Sequence, residues 1–257
     1  MIREDLEHKL LSGGVIYLDA CPTYKVTLQD MADHGFGRMR EAIALMASDD
    51  AAASKLLSNI NDKVSTFYVL MIGIIQELRQ SEKRETVLYN SVLKFLSLFF
   101  RQEVCFNENV GFIIKDDSDN VLFILNESNY NQFRNILKQR NCLADIDDFE
   151  DENPANEMVA KLLEKRRMLK EKLRKTQKAQ GEDSISMADL ISIFAEAEKM
   201  PLQDVYCNYD VYQFNNQFNR LKIMDDYHVN IQALIAGAKS EDVKLQHWIS
   251  KIKKDEN

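Results

Sequence analysis

Glycine and proline are scarce in this chain, and their scarcity constrains the fold more than any other feature. The 257 residues include 8 Gly and 3 Pro, together about 4%, whereas average usage is about 12%. β-Sandwiches and barrels need many turns rich in these residues, and doubly wound nucleotide-binding folds need glycine loops. Hydrophobic residues make up 45% of the chain, which is enough for a core. The sequence therefore predicts a mainly α fold.

Residues 1–143 are predicted to form a helical domain with a short β element. The first twelve residues have the pattern of a short amphipathic helix that Gly13-Gly14 ends, and Thr27 is placed to cap the next helix. The nine-residue apolar run Phe67–Ile75 is half the length of a membrane span, so it predicts a buried helix. Further helices are predicted at about 51–60, 65–80, 83–101 and 127–141.

Two small β elements are predicted within this domain. β-Branched and aromatic residues at 15–18 and 24–26 predict a hairpin around Cys21-Pro22. Three apolar stretches follow the helix that ends near Arg101, and they predict a meander. The polar run Asp116–Asn120 separates the last two stretches and is typical of a turn. A calcium loop is the weaker alternative for this run, because the required Gly and distal Glu are missing.

The charge pattern changes sharply after residue 143. Residues 143–157 contain seven acids and no base, whereas residues 161–180 contain nine bases and two acids. We predict that residues 144–184 form an acidic linker followed by a solvated basic helix. An alternative is a nucleic-acid-binding helix, although the net charge of −8 and the absence of interleaved aromatic residues argue against it. Its candidate residues are Lys165, Arg166, Arg167 and Lys170.

Residues 185–257 are predicted to form a helical, aromatic-rich domain. Ser186 is a candidate N-cap, and apolar residues from Val211 onward recur at helical spacing toward a stop at Gly237. Seven aromatic residues fall between 206 and 248, and a unit of about 70 residues does not bury them all easily. Some of them are therefore predicted to line a groove for a partner helix, with core packing as the alternative for each. The candidate partner-binding residues are Tyr212, Phe214, Phe218, Leu221, Tyr227 and Trp248.

Motifs of familiar enzymes are absent from the sequence. The four histidines form no H-x-x-x-H pair, and there is no G-x-S-x-G, P-loop or dinucleotide-binding glycine pattern. The acidic cluster at 145–152 is contiguous and is typical of a solvated linker. We predict that the protein is not an enzyme and has no catalytic residues, no metal site and no cofactor.

Cysteine spacing and the N-terminal sequence bear on the compartment. Cys21, Cys105, Cys142 and Cys207 are spread singly, so we predict reduced and mostly buried thiols. The N-terminal residues are charged and include no apolar segment of the kind found in signal peptides. We predict a cytoplasmic protein that has no membrane partner, or one that enters a particle assembled in the cytoplasm.

Short segments near the C-terminus form a recognisable pattern: Val211-Tyr-Gln-Phe214, Gln217-Phe218, Arg220-Leu221, Asp226-Tyr227, Ile231-Gln-Ala-Leu234, Ala236-Gly237-Ala238 and His247-Trp248. Together they resemble a family of tailed-bacteriophage proteins involved in tail morphogenesis. Weaker matches lie at Phe95–Phe100 with Glu103-Val104, and at Asn153–Asn156. The matching segments cover at most about a third of the chain.

The resemblance implies a non-enzymatic role in bacteriophage tail assembly. Its main implication is a chaperone in the host cytoplasm that keeps a long, apolar, helical tape-measure protein soluble until tail-tube subunits polymerise around it. The 10 Met residues suit such a role, because methionine adapts to irregular apolar partners. The first alternative is a structural tail or baseplate component retained in the virion. The second is a nucleic-acid-binding regulator that uses the basic helix at 161–180.

Overall fold

The computed structural model describes residues 3–50, 65–79, 86–143, 185–239, 243 and 247–249. These residues contain nine helices and two small antiparallel sheets, so the predicted mainly α fold is confirmed. The chain divides into two compact units. The first unit comprises Met1–Leu143 and Gln203–Asn216, and the second comprises Ala144–Leu202 and Gln217–Asn257.

The first unit contains most of the regular elements. Its helices are α1 (Arg3–Ser12), α2 (Leu28–Asp33), α3 (Phe36–Ala47), α4 (Thr66–Arg79), α5 (Val87–Phe100) and α6 (Glu127–Arg140). Its strands are β1 (Ile16–Leu18), β2 (Cys21–Thr23), β3 (Glu103–Asn107), β4 (Gly111–Lys115) and β5 (Val121–Leu125). The predicted helix at 51–60 lies outside the described residues.

The remaining helices are α7 (Met187–Ala197), α8 (Leu202–Asn208) and α9 (Val211–Ile235). Helix α7 belongs to the second unit, whereas most of α8 and the first six residues of α9 belong to the first. Residues 203–216 are therefore grouped with the first unit, although the sequence places them in a domain at 185–257. The predicted linker and basic helix at 144–184 lie outside the described residues.

Capping boxes fix the starts of three helices, and two of them follow signals that the sequence shows. The Thr27 hydroxyl accepts a hydrogen bond from the Asp30 amide, and the Asp30 carboxylate accepts one from the Thr27 amide. Ser186 and Asp189 repeat this arrangement at the start of α7. Because each box satisfies backbone donors that a helix N-terminus leaves unpaired, both predicted caps are confirmed.

The N-terminal hairpin differs from its prediction in one strand. Strand β1 pairs with β2, which includes Pro22, and the register joins Ile16 to Thr23. The predicted second strand at 24–26 was wrong, because it assumed that Pro22 marks the turn. Proline is tolerated in an edge strand, and the Thr23 hydroxyl donates a hydrogen bond to the Ile16 carbonyl at 2.6 Å.

The meander β3-β4-β5 matches the three apolar stretches of the sequence. Between β4 and β5, the Asp116 carboxylate accepts hydrogen bonds from the amides of Ser118 and Asn120. Asp116–Asn120 is thus a turn held by one aspartate, as predicted. In the described part of the chain, no helix is long and apolar enough to cross a membrane, and Phe67 and Leu70 of α4 are buried.

The aromatic core of the first unit centres on α5. The Phe99 ring lies 5.6 Å from Phe95, 5.4 Å from Phe100 and 5.7 Å from Phe133 between centroids. All four rings are buried, and the Phe99 carbonyl accepts a hydrogen bond from the Tyr24 amide at 2.7 Å. Helix α5 therefore links α6 to the segment that follows the N-terminal hairpin.

None of the four cysteines forms a disulfide, but the prediction that they are mostly buried was wrong. Cys21 is buried, and burial raises the pKa of its thiol to about 11. Cys105 is half-buried, whereas Cys142 and Cys207 are exposed. Cys142 directly follows the C-cap of α6 and has a positive φ of 54°, so the end of the helix places it at the surface.

Gly111 at the start of β4 provides a test of the sheet. Its φ is +114°, and a Cβ atom there would lie 2.4 Å from the Leu125 carbonyl oxygen. We expect Gly111→Ala to lower the free energy of unfolding by about 2 kcal/mol or more, measured by urea denaturation. Gly73→Ala in α4 is the matched control, because its Cβ would meet only Leu88 Cδ2 at 3.6 Å. The control should be neutral or stabilising by about 0.5 kcal/mol, and equal losses in both variants would contradict the prediction.

Candidate functional site

Helix α9 carries most of the candidate partner-binding residues, and Asp210 determines where it begins. The Asp210 carboxylate accepts a hydrogen bond from the Gln213 amide at 2.8 Å, and the Asp210 amide donates to the Gln213 side chain at 3.2 Å. Asp210 thus caps the N-terminus of α9, where a negative charge is also favoured by the helix dipole.

Polar contacts hold residues 203–216 to the rest of the first unit. Lys25 Nζ donates to the Asn208 carbonyl at 2.6 Å and to Gln213 Oε1 at 3.3 Å. Gln213 Nε2 donates to the Leu11 carbonyl at 2.9 Å. At Gly13, where φ is +67°, a Cβ atom would lie 2.7 Å from Lys25 Cδ. Glycine therefore allows this close approach, and its backbone conformation is one that other residues rarely adopt.

Two backbone groups extend this attachment. The Leu28 amide donates to the Tyr209 carbonyl at 2.9 Å, and Thr27 forms an antiparallel bridge with Asp210. Leu28 is the first residue of α2, so its amide has no acceptor within its own helix. The docked segment therefore supplies the acceptor that the start of α2 requires.

Asp210 also forms a buried ion pair with Arg140 at the C-terminus of α6. Arg140 Nη1 lies 3.8 Å from Asp210 Oδ2, and each side chain is only 3% exposed. Arg140 Nη2 donates to the Gly14 carbonyl at 2.7 Å. Among the described residues, Arg140 Nε and Nη1 and Asp210 Oδ2 have no hydrogen-bond partner. The two charges attract each other, but they are not joined by a direct hydrogen bond.

Burial acts on both members of this pair. It raises the pKa of the Asp210 carboxyl, an effect that the Gln213 amide and the positive charges of Arg140 and Lys25 oppose. Burial also lowers the pKa of Arg140 to about 10, although the Asp210 charge favours the protonated form. In each case desolvation outweighs the attraction of the partner, which is common for buried ion pairs with imperfect geometry.

The candidate residues of the first unit are largely interior. Phe214 is fully buried, with 0% of its surface exposed, so the core alternative describes it. Tyr212 is half-buried and packs against the hydrophobic core of the unit. Sequence spacing could not distinguish Tyr212 and Phe214 from the later aromatic residues Phe218 and Tyr227, because all four lie on α9.

The candidate residues of the second unit are more accessible. Phe218, Leu221 and Tyr227 are half-buried, and Trp248 is 41% exposed. The Tyr227 ring lies 5.1 Å from His247, whose ring in turn stacks 6.0 Å from Trp248. Arg220 Nη1 donates to the Trp248 carbonyl at 2.7 Å. These contacts bring Tyr227 and Trp248 into one aromatic cluster.

Sequence reasoning missed three members of this cluster. His228 lies 6.1 Å from Tyr227 between ring centroids, and His247 joins Tyr227 to Trp248. His228 belongs to no sequence motif, and His247 appears only in the His247-Trp248 segment of the C-terminal pattern. Arg220 lies two turns before Tyr227 on α9, and this i, i+7 spacing is the signal that could have indicated a shared face.

The remaining predictions concern nucleic-acid binding and metal binding. Lys165, Arg166, Arg167 and Lys170 lie outside the described residues, so the nucleic-acid alternative stays a prediction. Among the described residues, no group of three or more His, Cys, Asp or Glu side chains is arranged to hold a metal ion.

A known family model matches the C-terminal part of the chain. Residues 175–253 match the family model described as YomV second domain, a phage-associated family name. The matched segment contains α7, α8 and α9, and thus includes residues 203–216 of the first unit. No curated protein and no solved structure matches the chain significantly.

Truncation of two aromatic residues tests the division between interior and surface. We expect Phe214→Ala to lower the free energy of unfolding by about 3–5 kcal/mol, because it removes a fully buried ring. Trp248→Ala, at a site that is 41% exposed, should cost about 1 kcal/mol or less. Urea denaturation of the full chain measures both values, and a small loss for Phe214→Ala would show that this residue is not interior.

Proposed function

We propose that this protein is a non-enzymatic tail assembly chaperone of a bacteriophage, which holds an apolar helical partner of the tape-measure type. Two observations support the proposal. One is the apolar surface of α9 in the second unit, and the other is the match of residues 175–253 to a phage-associated family. The surface of α9 carries most of the argument, because it is a physical property of this chain.

The second-unit part of α9, residues 217–235, has an apolar stripe that the protein leaves partly uncovered. No side chain in this range is fully buried. Two further apolar residues of the same range, Val229 and Ile235, are 57% and 82% exposed. The residues of the stripe recur every three or four positions, namely Phe218, Leu221, Met224, Tyr227, Ile231 and Leu234. A helix in a globular protein normally buries such a stripe, so this one is suited to a protein partner.

The chemistry of the stripe favours a helical partner. Aliphatic and aromatic side chains at this spacing pack against another amphipathic helix without requiring a particular partner sequence. Met224 adds an adaptable side chain, and the Tyr227–His247–Trp248 cluster adds flat rings that lose little conformational entropy on binding. A tape-measure protein is long, helical and apolar, and it needs such cover before the tail tube forms around it.

A set of substitutions on α9 and in its aromatic cluster tests the proposed surface. We expect Leu221→Ala/Tyr227→Ala/Trp248→Ala to reduce capture of the helical tail partner by about tenfold or more, because buried aromatic anchors dominate such interfaces. The control is Gln217→Ala/Lys222→Ala/Gln232→Ala, which alters exposed polar residues of the same helix and should leave capture unchanged. Quantitative mass spectrometry of affinity pull-downs from the producing host measures both, and equal capture by the two variants would contradict the proposal.

Finished particles from the same host distinguish the chaperone from its alternatives. A chaperone is captured with a long apolar helical protein in the lysate and is absent from the particles. A fixed stoichiometry in the particles would instead make the protein a structural tail or baseplate component. The nucleic-acid-binding regulator would be supported if the protein is absent from both the lysate capture and the particles and instead retains nucleic acid in a salt-sensitive way. The variant Arg166→Ala/Arg167→Ala should then weaken that retention.

A further inference from the structure

We propose that residues 203–216 form a releasable strap, which the Arg140–Asp210 pair fastens to the first unit and whose detachment leaves the core of that unit folded. The proposal rests on contacts within the first unit alone, and it does not depend on the proposed function. It assigns a conformational role to a buried ion pair that the partner-binding surface does not use.

The core of the first unit is complete without the strap. Every buried residue of its hydrophobic cluster lies between Leu10 and Leu137. The strap adds Val211 and Tyr212 to the outside of that cluster, where both are partly buried. Its two fully buried apolar side chains, Val205 and Phe214, are not part of the cluster. Undocking therefore removes two side chains from the surface of the core and none from its interior.

Hydrogen bonds and one ion pair join the strap to the segment 11–28 and to Arg140, and the buried ion pair is imperfect. Lys25, Leu28 and Leu11 contribute hydrogen bonds, whereas Arg140 and Asp210 face each other at 3.8 Å without one. Placing two charges in a site that is 3% exposed is costly, and three of their polar atoms lack hydrogen-bond partners among the described residues. A pair of this kind holds the strap in one register but contributes less than close apolar packing would.

The pair nevertheless determines whether the strap stays docked once one of its two charges is removed. Arg140 would then remain buried with no counter-charge, which is far worse than either the complete pair or two neutral side chains. The variant that isolates this effect is Asp210→Asn, because asparagine caps a helix about as well as aspartate. It keeps an acceptor for the Gln213 amide and removes only the charge.

The Leu28 amide reports strap docking directly, because its hydrogen-bond acceptor is the Tyr209 carbonyl of the strap. Two other amides report the rest of the unit. Met31 donates to the Thr27 carbonyl at the start of α2, and Tyr24 donates to the Phe99 carbonyl at the core. Residue-resolved hydrogen exchange of the full chain follows all three amides in one experiment.

We expect Asp210→Asn to raise the exchange rate of the Leu28 amide about a hundredfold while those of Met31 and Tyr24 stay unchanged. The double variant Arg140→Met/Asp210→Asn carries neither charge, and it should return Leu28 to within about tenfold of the wild-type rate. Asp33→Ala is the matched control, because it removes an exposed carboxylate of α2 that accepts a hydrogen bond from the Gln29 side chain of the same helix. It should leave all three rates unchanged.

Three results would overturn the proposal. Wild-type exchange at Leu28 in Asp210→Asn would mean that the pair does not fasten the strap. Acceleration of Leu28, Met31 and Tyr24 to a common rate would mean that residues 203–216 unfold only with the whole unit. Failure of Arg140→Met/Asp210→Asn to restore protection would mean that the unpaired charge is not the cause of release.

Discussion

The packing of α5 against its neighbours is the interaction on which the first unit depends. Phe99 contacts Phe95, Phe100 and Phe133 through its ring, and its carbonyl accepts the Tyr24 amide. Aromatic pairs of this geometry each contribute about 0.5–1.5 kcal/mol beyond the apolar area that they bury. Helix α6 and the segment after the N-terminal hairpin are thus joined to one buried helix, which explains why the cluster closes without residues from the C-terminal part of the chain.

The attachment of residues 203–216 follows a different principle. Its register is fixed by directional contacts, namely the Lys25 hydrogen bonds, the Leu28 amide and the Arg140–Asp210 pair. Such contacts specify where a segment lies, whereas apolar burial mainly determines how strongly it is held. Asp210 serves both purposes, because the carboxylate that faces Arg140 also caps α9. Docking of the segment and the start of α9 are therefore coupled through one side chain.

Local features of the fold could be predicted from the sequence, whereas long-range ones could not. Two helix starts are indicated by pairs of residues three positions apart, namely Thr27 with Asp30 and Ser186 with Asp189. The meander follows three apolar stretches of the sequence. Pro22 misled the hairpin prediction, because an edge position tolerates a residue that usually marks a turn. The partnership of Arg140 with Asp210 spans 70 positions and has no local signal. Of the candidate contact residues, the aromatic cluster brings Tyr227 and Trp248 together, while Phe214 is interior.

Helix α9 explains why spacing alone was insufficient for the site. Phe214, Phe218 and Leu221 lie on one stripe, since residues three and four apart share a helix face. Phe214 is nevertheless fully buried, while Phe218 and Leu221 are half-buried. The same pattern therefore has two uses along one helix: its first turns belong to the first unit, and the later turns present apolar surface. The accessible apolar residues of α9 therefore lie after Asn216, where the aromatic and histidine rings also gather.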